Sequence, residues 1–210
     1  MSKKKDNKNL DISTEEKIKE AAREVFHKKG FAATRTRDIA EEAGINLALL
    51  NYYFRSKEKL FNIIMIETLS DFMEKMFDIL NSEKTTLEDK VQQFSESYID
   101  LLIIEPEVPV FILSEIRNNP KLLLEKIPVK KVLLNSMFIK QHQEAVAIGK
   151  IKEPNPLHFL MNVLGLIVFP FLMSPMLKQV NSLSEEGFNQ LMKQRKKLIP
   201  IWMKTMMEAS

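Results

Sequence analysis

Helix-capping motifs followed by apolar residues at helical spacing recur along this chain and constrain its fold more than any other feature. Ser13 stands three residues before Glu16, a capping box in which each side chain bonds the other's free backbone N–H. The next apolar residues share one helix face: Ile18, Ala22, Val25 and Phe26. Apolar residues make up 45% of the chain and only 5 of its 210 residues are Gly, which favours long helices over turn-rich β architecture. The sequence therefore predicts an all-α fold.

Two short helices are predicted close together after the first one. Thr34 and Thr36 are both candidate N-caps of the second helix, which ends at Gly44. Asn46 is the candidate cap of a third helix that begins at Leu47. Short helices joined by a turn of three to four residues that contains Gly form the helix-turn-helix pattern.

The chain divides into three predicted parts. Residues 1–12 are predicted to be a flexible basic arm. The first helix is expected from about 14 to 29, with Gly30 as a left-handed stop. We place the helix-turn-helix domain at 13–59 and a helical ligand-binding and dimerisation domain at 60–210.

The second domain completes a predicted set of about nine helices, with no strand pattern or internal repeat. The fourth helix is predicted to be long and capped by Ser56, and the fifth to run from a capping box at Thr85 and Glu88 to about Ile104. After breaks at Pro106 and Pro109, a sixth is predicted over Val110 to Asn118 and a seventh from Pro128 to about Ala147. An eighth lies in the apolar run described next, and the last is capped by Ser182 and Glu185 and disturbed by Pro200.

One uncharged run tests whether the chain is soluble. The 21 residues from Leu157 to Leu177 are long enough to cross a bilayer. The run includes polar or helix-breaking residues: His158, Asn162, Gly165, Pro170, Ser174 and Pro175. We interpret it as a buried helix at a helix–helix interface, which is apolar all round for the same reason. The alternative is a membrane or partner-binding adaptor, which lipid exposure of this run would favour.

Charge and cysteine content limit the compartment and the chemistry. Cysteine is absent, which excludes disulfides, thiolate metal sites and cysteine nucleophiles and is compatible with a reducing interior. The polar N-terminus lacks the apolar run of a secretory signal, so we expect a cytoplasmic protein. Residues 1–60 contain 14 Lys and Arg against 10 Asp and Glu, whereas the whole chain carries only +3. The positive surplus lies where a polyanion would be bound, although a solvated charged surface gives the same count.

The N-terminal 60 residues carry a recognisable signature. Its parts are Gly30-Phe31-Ala32-Ala33-Thr34, Asp38-Ile39-Ala40-Glu41-Glu42-Ala43-Gly44-Ile45-Asn46 and Leu50-Asn51-Tyr52-Tyr53-Phe54-Arg55-Ser56-Lys57-Glu58-Lys59-Leu60. This pattern resembles the DNA-binding domain of the TetR/AcrR family of regulators, over about 50 residues. The resemblance is specific because helix caps, turn glycine, aromatic pair and Ser-Lys-Glu all have the family's spacing.

The recognition helix is expected to lie in the major groove of double-stranded operator DNA. Its first turn, Leu47, Ala48 and Leu49 after the cap Asn46, would reach the base edges. Leu50 and Phe54 face the core, which leaves Asn51, Tyr52 and Tyr53 outward. The resemblance implies phosphate contacts from Tyr52, Tyr53, Lys57 and Thr36, and a base contact from Arg37.

This chain departs from many relatives at the reading positions. Leu47, Ala48 and Leu49 offer no side-chain hydrogen bonds, so contact with thymine methyl groups is their natural mode of reading. Asn51 and Arg37 remain as the polar readers. Two alternatives stay open: Tyr52 and Tyr53 pack between helices, or a rotated helix places Leu47 and Leu49 in the core.

The resemblance implies an effector pocket and a dimer contact in the second domain. Flat Phe and flexible Met side chains suit a hydrophobic ligand, and a His on an apolar helix could bond one. The candidate effector residues are Phe72, Phe94, Phe111, Phe138, His158 and Met161. Ordinary core packing explains the Phe and Met residues equally well. The homodimer is expected to form through the last two helices, Leu157 to Leu172 and Ser184 to Met206.

No enzyme, metal site or cofactor is predicted. The three His residues are scattered without ligand spacing, and the glycines form no phosphate-binding loop. A helical enzyme would instead need a buried cluster of titratable groups. We predict a repressor that binds a near-palindromic operator, with recognition helices about 34 Å apart. A small-molecule effector would change this separation through the long fourth helix and release the DNA.

Overall fold

The computed structural model describes residues 2–118, 121, 124–125 and 136–208, with side chains described from 13 to 206 of these. Every regular element in these ranges is an α-helix, which confirms the all-α prediction. The helices whose bounds lie within the described residues are α1 (Ser2–Ala33), α2 (Thr36–Glu42), α3 (Leu47–Phe54), α4 (Lys57–Asn81), α5 (Leu87–Ile104), α6 (Val108–Asn118), α7 (Met137–Ala147), α8 (Pro156–Leu172), α9 (Ser174–Val180) and α10 (Glu185–Glu208).

The chain forms two compact units, Met1–Thr68 and Leu69–Ser210. The first unit has its own apolar core, with Phe26, Phe31 and Phe61 in contact at centroid distances of 4.5 to 6.0 Å. Within it, the side chains of Lys19 and Arg23 on α1 bond Glu67 and Thr68 on α4. The proposed domain boundary at 59/60 remains a prediction.

The first helix is longer than the sequence predicts. It begins at Ser2, so the predicted start near 14 is wrong and Ser13 lies inside the helix. Residues 2–12, predicted as a flexible arm, are helical, and they contain no Gly or Pro that would stop a helix. Gly30 interrupts α1 with φ 72° and ψ 162°, but helix resumes up to Ala33.

Three predicted caps are shifted along the chain. The N-cap of α2 is Arg35, not Thr34 or Thr36. The N-cap of α5 is Thr86, whose hydroxyl accepts from the Asp89 backbone N–H at 3.1 Å, one residue later than predicted. The backbone N–H of Gly187 donates to the hydroxyl of Ser184 before α10, rather than to Ser182. At α5 and α10 a neighbouring hydroxyl supplies the same type of bond, whereas at α2 the Arg35 side chain makes no cap bond and the Asp38 carboxylate accepts from the Arg35 backbone N–H instead.

Prolines differ in their effect from the prediction. Pro109 lies in the first turn of α6, where its missing N–H costs no helix bond, so α6 begins at Val108. Pro200 lies inside α10, which continues to Glu208. The predicted start of the seventh helix at Pro128 lies outside the described residues, while its end at Ala147 is confirmed.

The second unit is built around α5. Helices α10 and α8 both pack on it, and α8 also contacts α6, α7 and α10. The buried face of α5 repeats at helical spacing: Leu87, Val91, Phe94, Tyr98 and Leu102. Burial raises the pKa of Tyr98 to about 12 because the phenolate would be poorly solvated there.

The uncharged run forms two helices instead of the single one predicted. α8 ends at Leu172 and α9 begins at Ser174, with a bend of 62° between them. No single described helix is long and apolar enough to span a membrane, although α8 and α9 together pass that test by length and composition. The run is also not buried all round, because Leu157, Met161 and Phe169 on α8 are exposed.

Candidate nucleic-acid interface

Helices α2 and α3 are joined by a tight turn. The backbone N–H of Gly44 donates to Glu41 O at 3.0 Å, and the N–H of Ile45 donates to Ala40 O at 3.0 Å. Gly44 has φ +62°, a left-handed conformation that a Cβ disfavours. The turn predicted from Gly44 is thus present, and it fixes the angle at which α3 leaves α2.

The recognition helix α3 has its predicted cap and its predicted inner face. Asn46 Oδ1 accepts from the Leu49 backbone N–H at 2.8 Å. Leu50 is 0% exposed and Phe54 is also buried, so these side chains anchor α3 to the first unit. Tyr52 is 77% exposed, and Leu47, Ala48 and Asn51 are exposed as well. The burial pattern contradicts the rotated-helix alternative, in which Leu47 would lie in the core.

The two tyrosines differ in their surroundings. Tyr52 and Tyr53 make an edge-to-face contact at 5.4 Å between ring centroids. Tyr53 is half-buried and its ring lies 6.3 Å from that of Phe54. Tyr53 therefore packs partly against its own unit, whereas Tyr52 projects into solvent.

Two of the predicted DNA-contacting residues, Thr36 and Arg37, lie at the start of α2 beside Arg35 and Asp38. The Asp38 carboxylate accepts from the Arg35 backbone N–H at 2.9 Å. This bond, followed by the nearby Lys29, holds the pKa of Asp38 below its usual value. Thr36 is the first residue of α2 and is half-buried, and Arg37 is exposed beside it.

Lys57 makes contacts that the sequence did not indicate. Its Nζ donates to Phe31 O at 2.8 Å and to Thr34 O at 2.9 Å. The same ammonium lies 4.3 Å from the centroid of the Phe31 ring, a cation–π contact. Lys57 thus ties the start of α4 to the chain segment after the break at Gly30. Only the fold brings these distant positions together, so no local pattern could have revealed the contact.

The predicted effector residues divide into a buried and an exposed set. Phe94 and Phe138 line a small void of about 10 Å³, together with Leu80, Val91, Leu160, Val163 and Leu164. Phe72 and Phe111 are buried but do not line this void, and Phe72 packs on Tyr98 at 4.7 Å.

His158 and Met161 do not lie with the other predicted effector residues. Met161 is 60% exposed, and the exposed His158 Nδ1 is 3.2 Å from Glu153 Oε2. Both positions fall on the outer face of α8, because Phe159, Leu160 and Val163 occupy its inner face. Their assignment to a buried effector pocket is therefore wrong.

A buried histidine that the sequence analysis did not select lies in the same core. His142 is 0% exposed, and neither of its ring nitrogens has a hydrogen-bond partner among the described residues. Its ring is 5.7 Å from that of Phe159. Burial lowers the pKa of His142 because the imidazolium would lose its hydration. The sequence offered one sign of this burial, because His142 stands one helical turn after the apolar Phe138.

A larger open cleft of about 320 Å³ lies elsewhere in the second unit. Its residues come from α5, α7, the turn after α7, and α10, and include the apolar Leu87, Ala145, Ile148 and Ile151. Lys150 and Glu88 form an ion pair of 2.7 Å in its lining. None of the predicted effector residues lines this cleft. Among the described residues no group of three or more His, Asp or Glu side chains could hold a metal ion.

The capped α3, its buried anchor residues and its exposed outer face define a helix-turn-helix DNA-binding protein. Residues 18–64 match the family described as bacterial regulatory proteins, tetR family. The chain is 24% identical to the "Probable HTH-type transcriptional regulator YttP" of Bacillus subtilis (strain 168), over 81% of this chain and 83% of that protein. With this evidence, residues 18–64 are a DNA-binding domain of the tetR family of bacterial regulatory proteins, and most of the chain is similar to an HTH-type transcriptional regulator.

Solved structures show the same fold over most of the chain. A TetR/AcrR-family regulator from Thermobifida fusca covers 89% of this chain and 96% of its own, with 17% identity and a TM-score of 0.62. FadR from Bacillus subtilis, solved in complex with stearoyl-CoA, covers 87% and 96%, with 24% identity and a TM-score of 0.57. At these identities the likeness concerns the fold of the helices.

Proposed function

We propose that this regulator is a ligand-responsive repressor that binds a near-palindromic operator as a homodimer. One observation carries the DNA-binding part: α3 buries Leu50 and Phe54 while Leu47, Ala48 and Asn51 face outward. A helix anchored on one side and free on the other fits the major groove, and two copies would read half-sites one helical turn apart.

The proposed contacts follow from exposure and chemistry. Leu47, Ala48 and Leu49 contact thymine methyl groups, and Asn51 and Arg37 supply hydrogen bonds to base edges. Phosphate contacts come from the hydroxyl groups of Tyr52, Tyr53 and Thr36, which flank the reading residues in sequence. Lys57 was predicted to join them, but its bonds to Phe31 O and Thr34 O favour a supporting role.

Selection of bound sequences from a random duplex pool tests this reading. The wild-type protein should enrich an inverted repeat whose half-sites contain thymine-rich steps. The Asn51→Ala variant should still enrich a repeat but lose preference at one position in each half-site, at a cost of about 1–3 kcal/mol there. A pool that stays random, or an enriched site without two-fold symmetry, would contradict the proposal.

The homodimer is proposed to form through the outer faces of α8 and α10. Apolar side chains exposed on these helices recur at helical spacing: Leu157, Met161 and Phe169 on α8, and Leu191, Leu198 and Ile201 on α10. Exposed apolar patches of this kind mark protein interaction sites. A second copy of the same surface would cover them by two-fold symmetry.

The effector is proposed to be an apolar acyl compound bound between α4, α5, α7 and α8. The void at this place has apolar walls only. The structural neighbour FadR, a protein of the same fold, was solved with stearoyl-CoA. In the proposed switch, acyl binding separates the recognition helices and lowers operator affinity.

Release of DNA by an acyl ligand is measured by fluorescence anisotropy of a labelled operator duplex. Stearoyl-CoA should lower operator affinity, while free coenzyme A at the same concentration should not. Spin labels at position 51 of both copies would report the separation of the recognition helices. Unchanged affinity and unchanged label distance at saturating stearoyl-CoA would remove this effector class and this switch.

A further inference from the structure

The strongest unexplained feature of the second unit is His142. We infer that His142 is the residue that selects the effector by donating a hydrogen bond to the carbonyl group of an acyl ligand. This inference rests on the proposed function, because it assigns the polar contact of the same effector site. It adds a specificity-determining residue that the sequence analysis did not predict.

The His142 side chain is buried without a hydrogen bond from any residue that the structure describes. Its side chain is 0% exposed, and both Nδ1 and Nε2 lack a partner among the described residues. A neutral imidazole carries one N–H donor and one acceptor nitrogen. Buried polar groups are normally hydrogen-bonded, so an unbonded pair needs an explanation.

Lys90 provides a comparison inside the same unit. It is also 0% exposed, but its Nζ donates to Ser82 O, Thr85 O and Thr85 Oγ1 at 2.6 to 2.9 Å. All three donors of this buried ammonium therefore have hydrogen-bond acceptors within the chain. His142 receives no such partner, which favours a bond with a molecule that is not part of the chain.

His142 also lies on a helix that forms one wall of the apolar void. It follows Phe138, which lines the void, by one turn of α7. The Phe159 ring lies 5.4 Å from Phe138 and 5.7 Å from His142, so it contacts both. His142 thus stands at the end of an apolar wall, where the polar head of a ligand would lie if its chain occupied the void.

A second unbonded polar atom lies in a helix that packs on α7. Ser95 Oγ, on α5, is buried without a partner among the described residues, and the adjacent Phe94 lines the void. The second unit therefore has more buried hydrogen-bonding capacity than its described residues use. A ligand with an apolar chain and one polar group matches this combination.

The void itself is too small for such a ligand. Its volume of about 10 Å³ is roughly the room that a single water molecule needs. Acyl binding therefore requires the helices around the void to separate. A ligand that must reshape the unit to enter it changes the conformational equilibrium of that unit, which is the requirement for an effector.

The experiment compares two ligands that differ in one carbonyl. Stearoyl-CoA carries a thioester carbonyl, and S-octadecyl-CoA has the same chain and nucleotide without it. Wild-type protein should bind stearoyl-CoA roughly tenfold more tightly, the difference expected for one buried hydrogen bond. The His142→Leu variant should bind both ligands with the same affinity. The matched control His158→Leu removes an exposed histidine and should retain the tenfold preference.

Unfolding without ligand gives an independent measurement. Removal of an unbonded buried imidazole should raise the Tm of His142→Leu by roughly 2–4 °C. A lower Tm would show that His142 is bonded in solution and would overturn the inference. An equal preference for stearoyl-CoA in wild type and His142→Leu would overturn it while leaving the proposed effector intact. Failure of wild type to bind either ligand would remove the acyl effector and this inference together.

Discussion

Single residues in this protein take their roles from contacts that the local sequence does not contain. Lys57 lies in a segment that resembles a phosphate-binding position, yet two of its three donors are directed at Phe31 O and Thr34 O. Phe31 lies in the last turn of α1 and Thr34 directly after it, where backbone carbonyls have no acceptor role within the helix ladder and need other donors. Lys57 stabilises this segment, and through it the place where α2 begins.

Replacement of Lys57 by Ala distinguishes a supporting role from a phosphate contact. A supporting Lys57 predicts a lower Tm and weaker operator binding, with an unchanged slope of log affinity against log salt. A phosphate contact predicts a slope smaller by about 0.9 for each subunit, or about 1.8 for the proposed dimer. Anisotropy titrations at several salt concentrations measure the slope. The exposed Lys59→Ala variant is the control for loss of one positive charge nearby.

The titration of His142 makes the stability of the protein depend on pH. Its pKa is lowered in the folded state by burial, with Glu153 as the charged group that acts in the opposite direction. The unfolded chain, with an ordinary His pKa of about 6.5, binds a proton first as pH falls. Stability is therefore lost as pH falls from about 6.5 towards the folded pKa.

The matching variant is His142→Phe, which cannot bind a proton. Its denaturation midpoint should fall less than that of wild type when pH is lowered from 7.5 to 5.5. Urea unfolding at each pH measures this difference. Parallel curves for the two proteins would mean that His142 does not titrate differently in the two states.

At the scale of helices, the sequence predicted the buried faces, which depend on the spacing of apolar residues. It missed some helix ends, where more than one residue could begin or end the helix. The inner face of α3 was predicted correctly because apolar residues four apart must share a face. The start of α1 was missed because Ser13 is compatible with both a cap and a helix interior. The break after Leu172 was missed because a continuous apolar run gives no sign of where a helix ends.

The site divides in the same way. Exposure of Leu47, Asn51 and Tyr52 could be derived from helical phase and the cap at Asn46. His158 and Met161 were misplaced because an apolar helix does not reveal which side faces the core. The contacts of Lys57 and the unbonded state of His142 could not be derived from sequence, since residues far away in the chain create their environments.

The turn between α2 and α3 depends on the backbone freedom of Gly44. A Cβ at this position would have only Lys17 Nζ within 4 Å, at 3.9 Å, so the cost of Gly44→Ala comes from the left-handed conformation alone. We expect a loss of about 1 kcal/mol in unfolding free energy and weaker operator binding. Thermal melts and anisotropy measure the two effects.

Gly187→Ala is the control for Gly44→Ala. Gly187 lies in the first turn of α10, and its nearest atom to an added Cβ is Ser184 Oγ at 3.4 Å, an ordinary contact. This change should leave stability unchanged or raise it by up to about 1 kcal/mol. Equal losses in both variants would show that the effect is not specific to the turn.

At the scale of the whole molecule, the exposed apolar face of α8 predicts how the protein associates. Phe169 is 60% exposed, and a Glu at this position would carry charge into the proposed dimer contact. Phe169→Glu should give a monomer by sedimentation velocity and lose most operator affinity, because both half-sites must be bound together. The control Ile148→Glu alters an exposed residue on the open cleft and should remain dimeric.

Helix α9 offers a way to observe association of the subunits. It has seven residues and none of them is buried within the chain. So short a helix is marginal in water on its own, and within the chain it packs only partly, on α8 and α10. If the proposed dimer contact extends from α8 onto α9, its amide hydrogens should exchange faster in monomeric Phe169→Glu than in wild type, which would make residues 174–180 a built-in reporter of subunit pairing.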